Sequence, residues 1–252
     1  MKKKKMKIQL KWKIMRYHFK EGENIYMCIV DCWYKDVCNL YDTSDCNSSC
    51  VRYNEVSFLM ESSGIPKNRQ VPLKLTPLND TDKQAFIRLK EIKDNIVDFV
   101  DNGKNLYICS RSVGNGKTSW SLKLILKYFD EIWSGNGLKT RALFIHTPTL
   151  LTKLKDFDNP LSNEYKETIK NCDLVIWDDF GGTKLTEFEY NQLLMLIDAR
   201  CFNQKANIYT SNITTKEDLD SLVGARLSSR VYAKSEVIEF IAKDFRIIEE
   251  SR

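Results

Sequence analysis

Apolar and polar residues alternate strictly over residues 7–14, K-I-Q-L-K-W-K-I, which sets Ile8, Leu10, Trp12 and Ile14 on one face. That pattern predicts a strand with a basic outer face. Over 82–100 the period changes. Ala85, Leu89, Ile92, Ile96 and Phe99 recur at spacings of three or four, predicting a helix closed by the turn Asp101-Asn102-Gly103. Short apolar runs and helical patterns then alternate: a strand over 106–109 (L-Y-I-C), a helix over 117–130, a strand over 142–146 (A-L-F-I-H) and helical material to about residue 170. A third strand follows at 174–177 (L-V-I-W), then a helix over 186–203 with Phe188, Leu193, Leu196 and Ile197 inward. Strands at 207–210 (N-I-Y-T) and 237–241 (V-I-E-F-I) complete the series. Apolar runs without alternation, separated by helices, predict an α/β fold with a parallel five-stranded sheet covered on both faces. Pro and Gly punctuate 62–69 and 77–80, so the expected organisation is an N-terminal module over 1–61, a linker over 62–80 and the α/β domain over 81–252.

Composition changes this picture in two places. The chain has 252 residues, 42% of them hydrophobic, with a formal net charge of +5. No apolar run reaches the roughly 18–20 residues of a membrane span, and no apolar stretch follows the basic start as in a secretory signal, so a cytoplasmic protein with no membrane contact is expected. Residues 1–20 hold nine Lys or Arg and no acid, which leaves 30 basic against 34 acidic residues elsewhere. The basicity therefore belongs to the tail, where it attracts polyanions or is simply solvated.

The sharpest local signal is R-S-V-G-N-G-K-T-S at 111–119, placed after a predicted strand and opening a predicted helix. Gly114 and Gly116 allow the backbone of Ser112, Val113, Asn115 and Ser119 to wrap a phosphate at a helix N-terminus. Lys117 can reach the β- and γ-phosphates and the Thr118 hydroxyl can ligate Mg²⁺. Arg111 stands where the phosphate-loop pattern has glycine. A second signal lies 61 residues after Lys117, where D-L-V-I-W-D-D-F-G-G (173–182) is a buried strand ending in two carboxylates. Asp178 can complete a Mg²⁺ shell, and Asp179 can orient or deprotonate the attacking water. A third is T-S-N at 210–212, where Asn212 can bridge that water and the γ-phosphate. Arg226 and Arg230 in A-R-L-S-S-R, and Arg246 in K-D-F-R, are candidate partners of phosphate or ordinary surface cations.

In this order N-G-K-T-S, I-W-D-D-F-G, I-Y-T-S-N, R-L-S-S-R and K-D-F-R resemble the AAA+ helicase loaders of the DnaC and DnaI type, over about residues 100–248. The resemblance implies an AAA+ P-loop NTPase fold and an ATPase that is slow and stimulated by partners. It places Asn212 at the sensor-1 position, Arg230 at an arginine finger acting on a neighbouring subunit and Arg246 at a cis sensor arginine. It implies ATP and Mg²⁺ as ligands. Its implied partners are a replicative helicase of the DnaB type, single-stranded DNA and further copies of the chain, which share ATP sites. Asp179 stands where these proteins more commonly have Glu. The rival of the same fold is a transposase-helper ATPase of the IstB type. The rival of another class is an adaptor that nucleotide only stabilises.

Five of the eight cysteines lie within residues 28–50. In a reducing compartment such density points to Zn²⁺, and Cys32, Cys38, Cys46 and Cys50 make the preferred tetrahedral set, with Cys28 and His18 as substitutes. Some loaders of the resembled family carry an N-terminal zinc-binding domain that engages the helicase, which gives the 1–61 module its expected role. Cys109, Cys172 and Cys201 are expected to pack as small hydrophobes. Trp12, Tyr17 and Phe19 among the N-terminal cations suit base stacking on single strands or packing on the zinc module.

Overall fold

The structure is a computed structural model and describes residues 32–43, 45–47, 49–70, 75–77, 80–155 and 162–241. The predicted strand over 7–14, His18, Cys28, the basic tail and Arg246 lie outside the described residues. The chain divides into two compact units, residues 1–48 and 49–252. The described part of the first is a succession of turns closed by hydrogen bonds such as Cys38 N–H to Tyr34 O (2.8 Å) and Cys46 N–H to Thr43 O (3.0 Å).

The second unit is built on five parallel strands: β1 (Asn105–Cys109), β2 (Ala142–His146), β3 (Leu174–Asp178), β4 (Ala206–Ser211) and β5 (Ser235–Glu239), in the order β2-β3-β4-β1-β5. Every residue of β3 and β4 is buried, as the unbroken apolar runs require of strands covered on both faces. Nine helices of the described residues surround the sheet: α1 (Val51–Ser62), α2 (Lys83–Asp94), α3 (Ile96–Asp101), α4 (Lys117–Ile132), α5 (Thr147–Leu154), α6 (Asn163–Asn171), α7 (Glu187–Phe202), α8 (Lys216–Val223) and α9 (Ala225–Val231). Helix α7 starts on a capping box in which Thr186 and Glu189 satisfy each other's backbone N–H groups. Trp177, Phe180, Tyr209, Leu193, Leu196 and Ile197 fill the core between the sheet and α7.

Two expectations are corrected. The helical stretch 82–100 is two helices, because Asn95 leaves the helical conformation at φ −119°, ψ 33° and its side chain bonds Glu91 O. The last strand is Ser235–Glu239 rather than 237–241. It pairs only with β1, and its apolar end bends inward, with Phe240 buried and its N–H on Cys109 O (2.8 Å). The second unit begins at Ser49, ahead of the expected boundaries at 61 and 80. Helix α1 packs Val56, Leu59 and Met60 inward and ties to α4 through Arg52 and Asp130 (2.6 Å), so residues from Ser49 onward count with the sheet. Ser63 and Ile65 are buried, and Ser63 O accepts Phe144 N–H at 2.7 Å, covering the outer edge of β2.

Candidate nucleotide-binding and catalytic site

Strand register assembles the site. Cys109 and Ser211 are partners at the ends of β1 and β4, and Trp177 of β3 faces Tyr209 of β4, so Asp178 comes to lie beside Thr210. The carboxyl ends of parallel strands are where such sheets present ligand groups. Ser110 to Gly116 form the loop between β1 and α4. Gly114 and Gly116 take φ values of 72° and 92°, a left-handed backbone that costs other residues strain. No side chain caps the start of α4, and a Cβ at Gly116 would meet nothing within 4 Å. The helix N-terminus therefore keeps its N–H groups and partial positive charge for an anion.

Lys117, at the start of α4, is buried and donates to Ser112 O (2.9 Å) and Asn115 Oδ1 (3.2 Å). Asn115 is buried and donates to Ser110 Oγ, which also accepts Ser112 N–H (3.1 Å), so the loop is braced internally. Val113 and Arg111 face outward, and Arg111 Nε donates to Thr214 Oγ1 at 3.3 Å, away from the loop interior. Cys109, just before the loop, is a buried thiol that burial pushes up to about 12, so it packs rather than reacts.

The two motifs meet at Asp178. Thr118 Oγ1 donates to Asp178 Oδ1 at 2.8 Å across 60 residues of sequence, and Thr210 Oγ1 donates to the same oxygen at 2.7 Å. A hydroxyl has one proton and two lone pairs. Thr118 can thus keep its bond to Asp178 and still offer oxygen to a cation, and carboxylate plus hydroxyl oxygens are the hard donors Mg²⁺ takes. These residues fit that ion. Asp179 follows at φ 56°, half-buried, with its N–H on Thr210 Oγ1 (3.0 Å). Asn212 is exposed just beyond β4 on the same rim. Ser119 lies in the first turn of α4, half-buried.

Arg230 is not brought to this loop. It sits on α9, donating to Asp198 Oδ1 (2.7 Å), while Arg226 donates to Asp198 Oδ2 (3.0 Å). The cleft holding Arg230 is lined by Asp198, Cys201, Phe202 and Lys234, and the adjoining one opens on Asn102 to Asn105 at the start of β1. That is the opposite end of the strands from the phosphate loop, a span of roughly 16 Å for five residues.

The preferred zinc set does not fit the structure as it stands. Cys46 is disulfide-bonded, Cys32, Cys38 and Cys50 are free thiols, and among the described residues no group of three or more His, Cys, Asp or Glu could hold a metal. Cys50 belongs to the second unit, as the residue preceding α1.

Sequence reasoning missed two side chains. Thr210 stood inside the quoted T-S-N, but in a strand buried on both faces no alternation marks it out. Arg200, near the end of α7, is not singled out by the sequence, yet it is fully buried.

Comparison with solved structures decides the fold. A DnaC helicase loader superposes with a TM-score of 0.56 at 22% identity, covering 66% of this chain and 93% of that one. The chain has the fold of the AAA+ helicase loaders. DnaI gives a TM-score of 0.55 at 22% identity over 72% and 94% of the two chains, and a putative primosome component of Streptococcus pyogenes serotype M3 gives 0.56 at 19% over 75% and 97%. AMPPCP-bound DnaA of Aquifex aeolicus shares the AAA+ fold at a TM-score of 0.52 and 21% identity, over 70% of this chain and 52% of its own. No protein-family profile and no curated protein matches the sequence. Among the described residues no helix of this AAA+ fold is long and apolar enough to cross a membrane.

Proposed function

We propose that this chain is an AAA+ ATPase that loads a replicative helicase of the DnaB type onto single-stranded DNA. The single observation carrying the nucleotide half is the bond from Thr118 to Asp178, which joins the loop to the acidic strand end at 2.8 Å. Lys117 would exchange Ser112 O and Asn115 Oδ1 for the β- and γ-phosphates of ATP. Thr118 and Asp178 would hold Mg²⁺, which when bound neutralises charge on the phosphate oxygens. Asp179 would orient or deprotonate the attacking water, with Asn212 bridging it to the γ-phosphate. Arg230, remote from its own loop, would act on the nucleotide of a neighbouring copy, and Arg246 on its own.

The helicase half is supported by the fold shared with DnaC and DnaI and by the order of motifs along the chain. For the cysteine-rich segment we keep Zn²⁺ and helicase docking on the strength of five cysteines in residues 28–50. Protein purified under reducing conditions should then carry about one zinc per chain, the content of one tetrahedral site. The disulfide at Cys46 is the rival arrangement, and metal-free protein would favour it.

The deciding experiment is multiple-turnover ATP hydrolysis with helicase and single-stranded DNA present, read beside the amount of helicase bound to that DNA. ATP-dependent helicase loading that Lys117→Ala abolishes is the expected result. Loading that proceeds equally without ATP would leave an adaptor, and ATP turnover with no effect on any helicase would point to the transposase-helper class.

A further inference from the structure

Asp179 is one of four non-glycine residues with positive φ among the described residues, and the only one of them that is a candidate catalytic group. A left-handed backbone is uncommon at a residue other than Gly and persists where its surroundings hold it in place. Here the surroundings are two consecutive residues of β4. Thr210 Oγ1 accepts Asp179 N–H (3.0 Å) and Thr210 O accepts Phe180 N–H (2.8 Å). Ser211 Oγ donates to Phe180 O at 2.6 Å. The Thr210 hydroxyl has one proton, and it spends that proton on Asp178 Oδ1 (2.7 Å). One buried hydroxyl therefore touches both acids, donating to the carboxylate of the first and accepting the backbone N–H of the second.

A hydroxyl that merely satisfied itself inside a sheet would bond its own strand or a neighbouring carbonyl. This one instead makes both its bonds to the residues placed in the reaction. Thr118 also holds Asp178, but its oxygen is the one the metal needs, whereas Thr210 can serve Asp178 whether or not nucleotide is present.

We propose that Thr210 is a positioning residue that aims Asp178 and Asp179 as a rigid pair, and that β4 thereby fixes the catalytic turn before nucleotide arrives. This inference rests on the ATPase reading above. The Asp178 carboxylate is turned by the donated proton, and the Asp179 side chain is aimed by the pinned left-handed turn. Removing the hydroxyl lets the turn relax toward ordinary backbone angles and swings Asp179 away from the water it orients.

The test compares Thr210→Val, which keeps the branched shape but loses donor and acceptor, with Thr210→Ser, which keeps the hydroxyl. Thr210→Val should bind ATP within a few-fold of the parent, need more Mg²⁺ to do so, and lose turnover by about 10²-fold, the order expected of a misplacement of about 1 Å. Thr210→Ser should recover most of that loss. Amide exchange in nucleotide-free protein supplies a readout that does not depend on activity: the Asp179 amide should lose protection in Thr210→Val and regain it in Thr210→Ser, with the β4 amides unchanged. A Thr210→Val protein that hydrolyses ATP like the parent, or a Thr210→Ser protein no better than Thr210→Val, overturns the role of Thr210. A parent that neither binds nor hydrolyses ATP overturns the ATPase reading itself, and unchanged Asp179 protection in Thr210→Val would then overturn the pinning of the turn as well.

Discussion

Asp198 holds Arg230: its Oδ1 accepts Arg230 Nε at 2.7 Å, and the bond raises the guanidinium pKa further above its ordinary value. For Arg230 to reach a phosphate on a neighbouring copy, this pair must open. Both partners are partly exposed, and such pairs hold by about 0–1 kcal/mol, so the latch is weak enough to yield to a polyphosphate. Arg230→Ala should bind ATP normally and turn over poorly, since an arginine supplied in trans can be worth ~10³–10⁵ in rate. Mixing it with Lys117→Ala should recover part of the activity, because one interface then combines an intact loop with an intact arginine. Mixed oligomers that form without any recovery would show that each site is complete in one chain. Asp198→Asn should leave turnover equal to or above that of the parent.

The loop itself is tested by separating binding from chemistry. Lys117 contributes a buried cation to the loop before α4, so on the proposed function Lys117→Ala should abolish ATP binding while leaving the thermal midpoint within a few degrees of the parent. Asp179→Asn keeps the size of the side chain and loses the carboxylate, so it should bind ATP and fail to hydrolyse it. Equilibrium binding of a fluorescent ATP analogue beside single-turnover hydrolysis distinguishes the two.

Arg200 is a structural cation rather than a site residue. It donates from Nε to Asn207 Oδ1 (2.6 Å), and from its two terminal nitrogens to Ile169 O (2.6 Å), Cys172 O (2.8 Å) and Ala206 O (2.5 Å). These bonds lock the end of α6 and the entry to β4 around a fully buried guanidinium, whose pKa burial lowers. Replacing it strands several buried acceptors at once, each worth about 1–3 kcal/mol. Arg200→Leu should therefore lower stability by about 3 kcal/mol or more in denaturant unfolding. Arg200→Lys should rescue little, since one ammonium cannot reach acceptors spread around a planar fork.

Acid sensitivity should appear at Asp173, the residue before β3. Burial pushes its carboxyl up, but Arg141 and Lys205 (2.9 Å) outweigh that and hold it below the ordinary carboxylate value. A depressed folded pKa means stability that is fully present above the unfolded value of about 3.9 and is lost as pH falls through the folded one. Asp173→Asn should thus be destabilised against the parent at pH 7, with the gap closing below about pH 4. A gap independent of pH would mean that the carboxylate charge contributes nothing.

The sequence alone determined the class of fold, the positions of β1 to β4 and which candidate site residues lie at strand ends. Unbroken apolar runs mark strands buried on both faces, and G-N-G-K-T and W-D-D fall at the carboxyl ends of strands, where parallel sheets present ligand groups. Only the tertiary structure decided how those elements meet. No periodicity reveals that Thr210 faces Asp178, since register across the sheet here depends on pairing between residues 32 apart in sequence. Burial of Arg200 depends on carbonyls that the end of α6 and the start of β4 bring together around it. Arg230 could be assigned to either end of the sheet until α9 packed on α7. Local propensity fixes what each segment becomes, whereas contacts across the chain fix which side chains share a site.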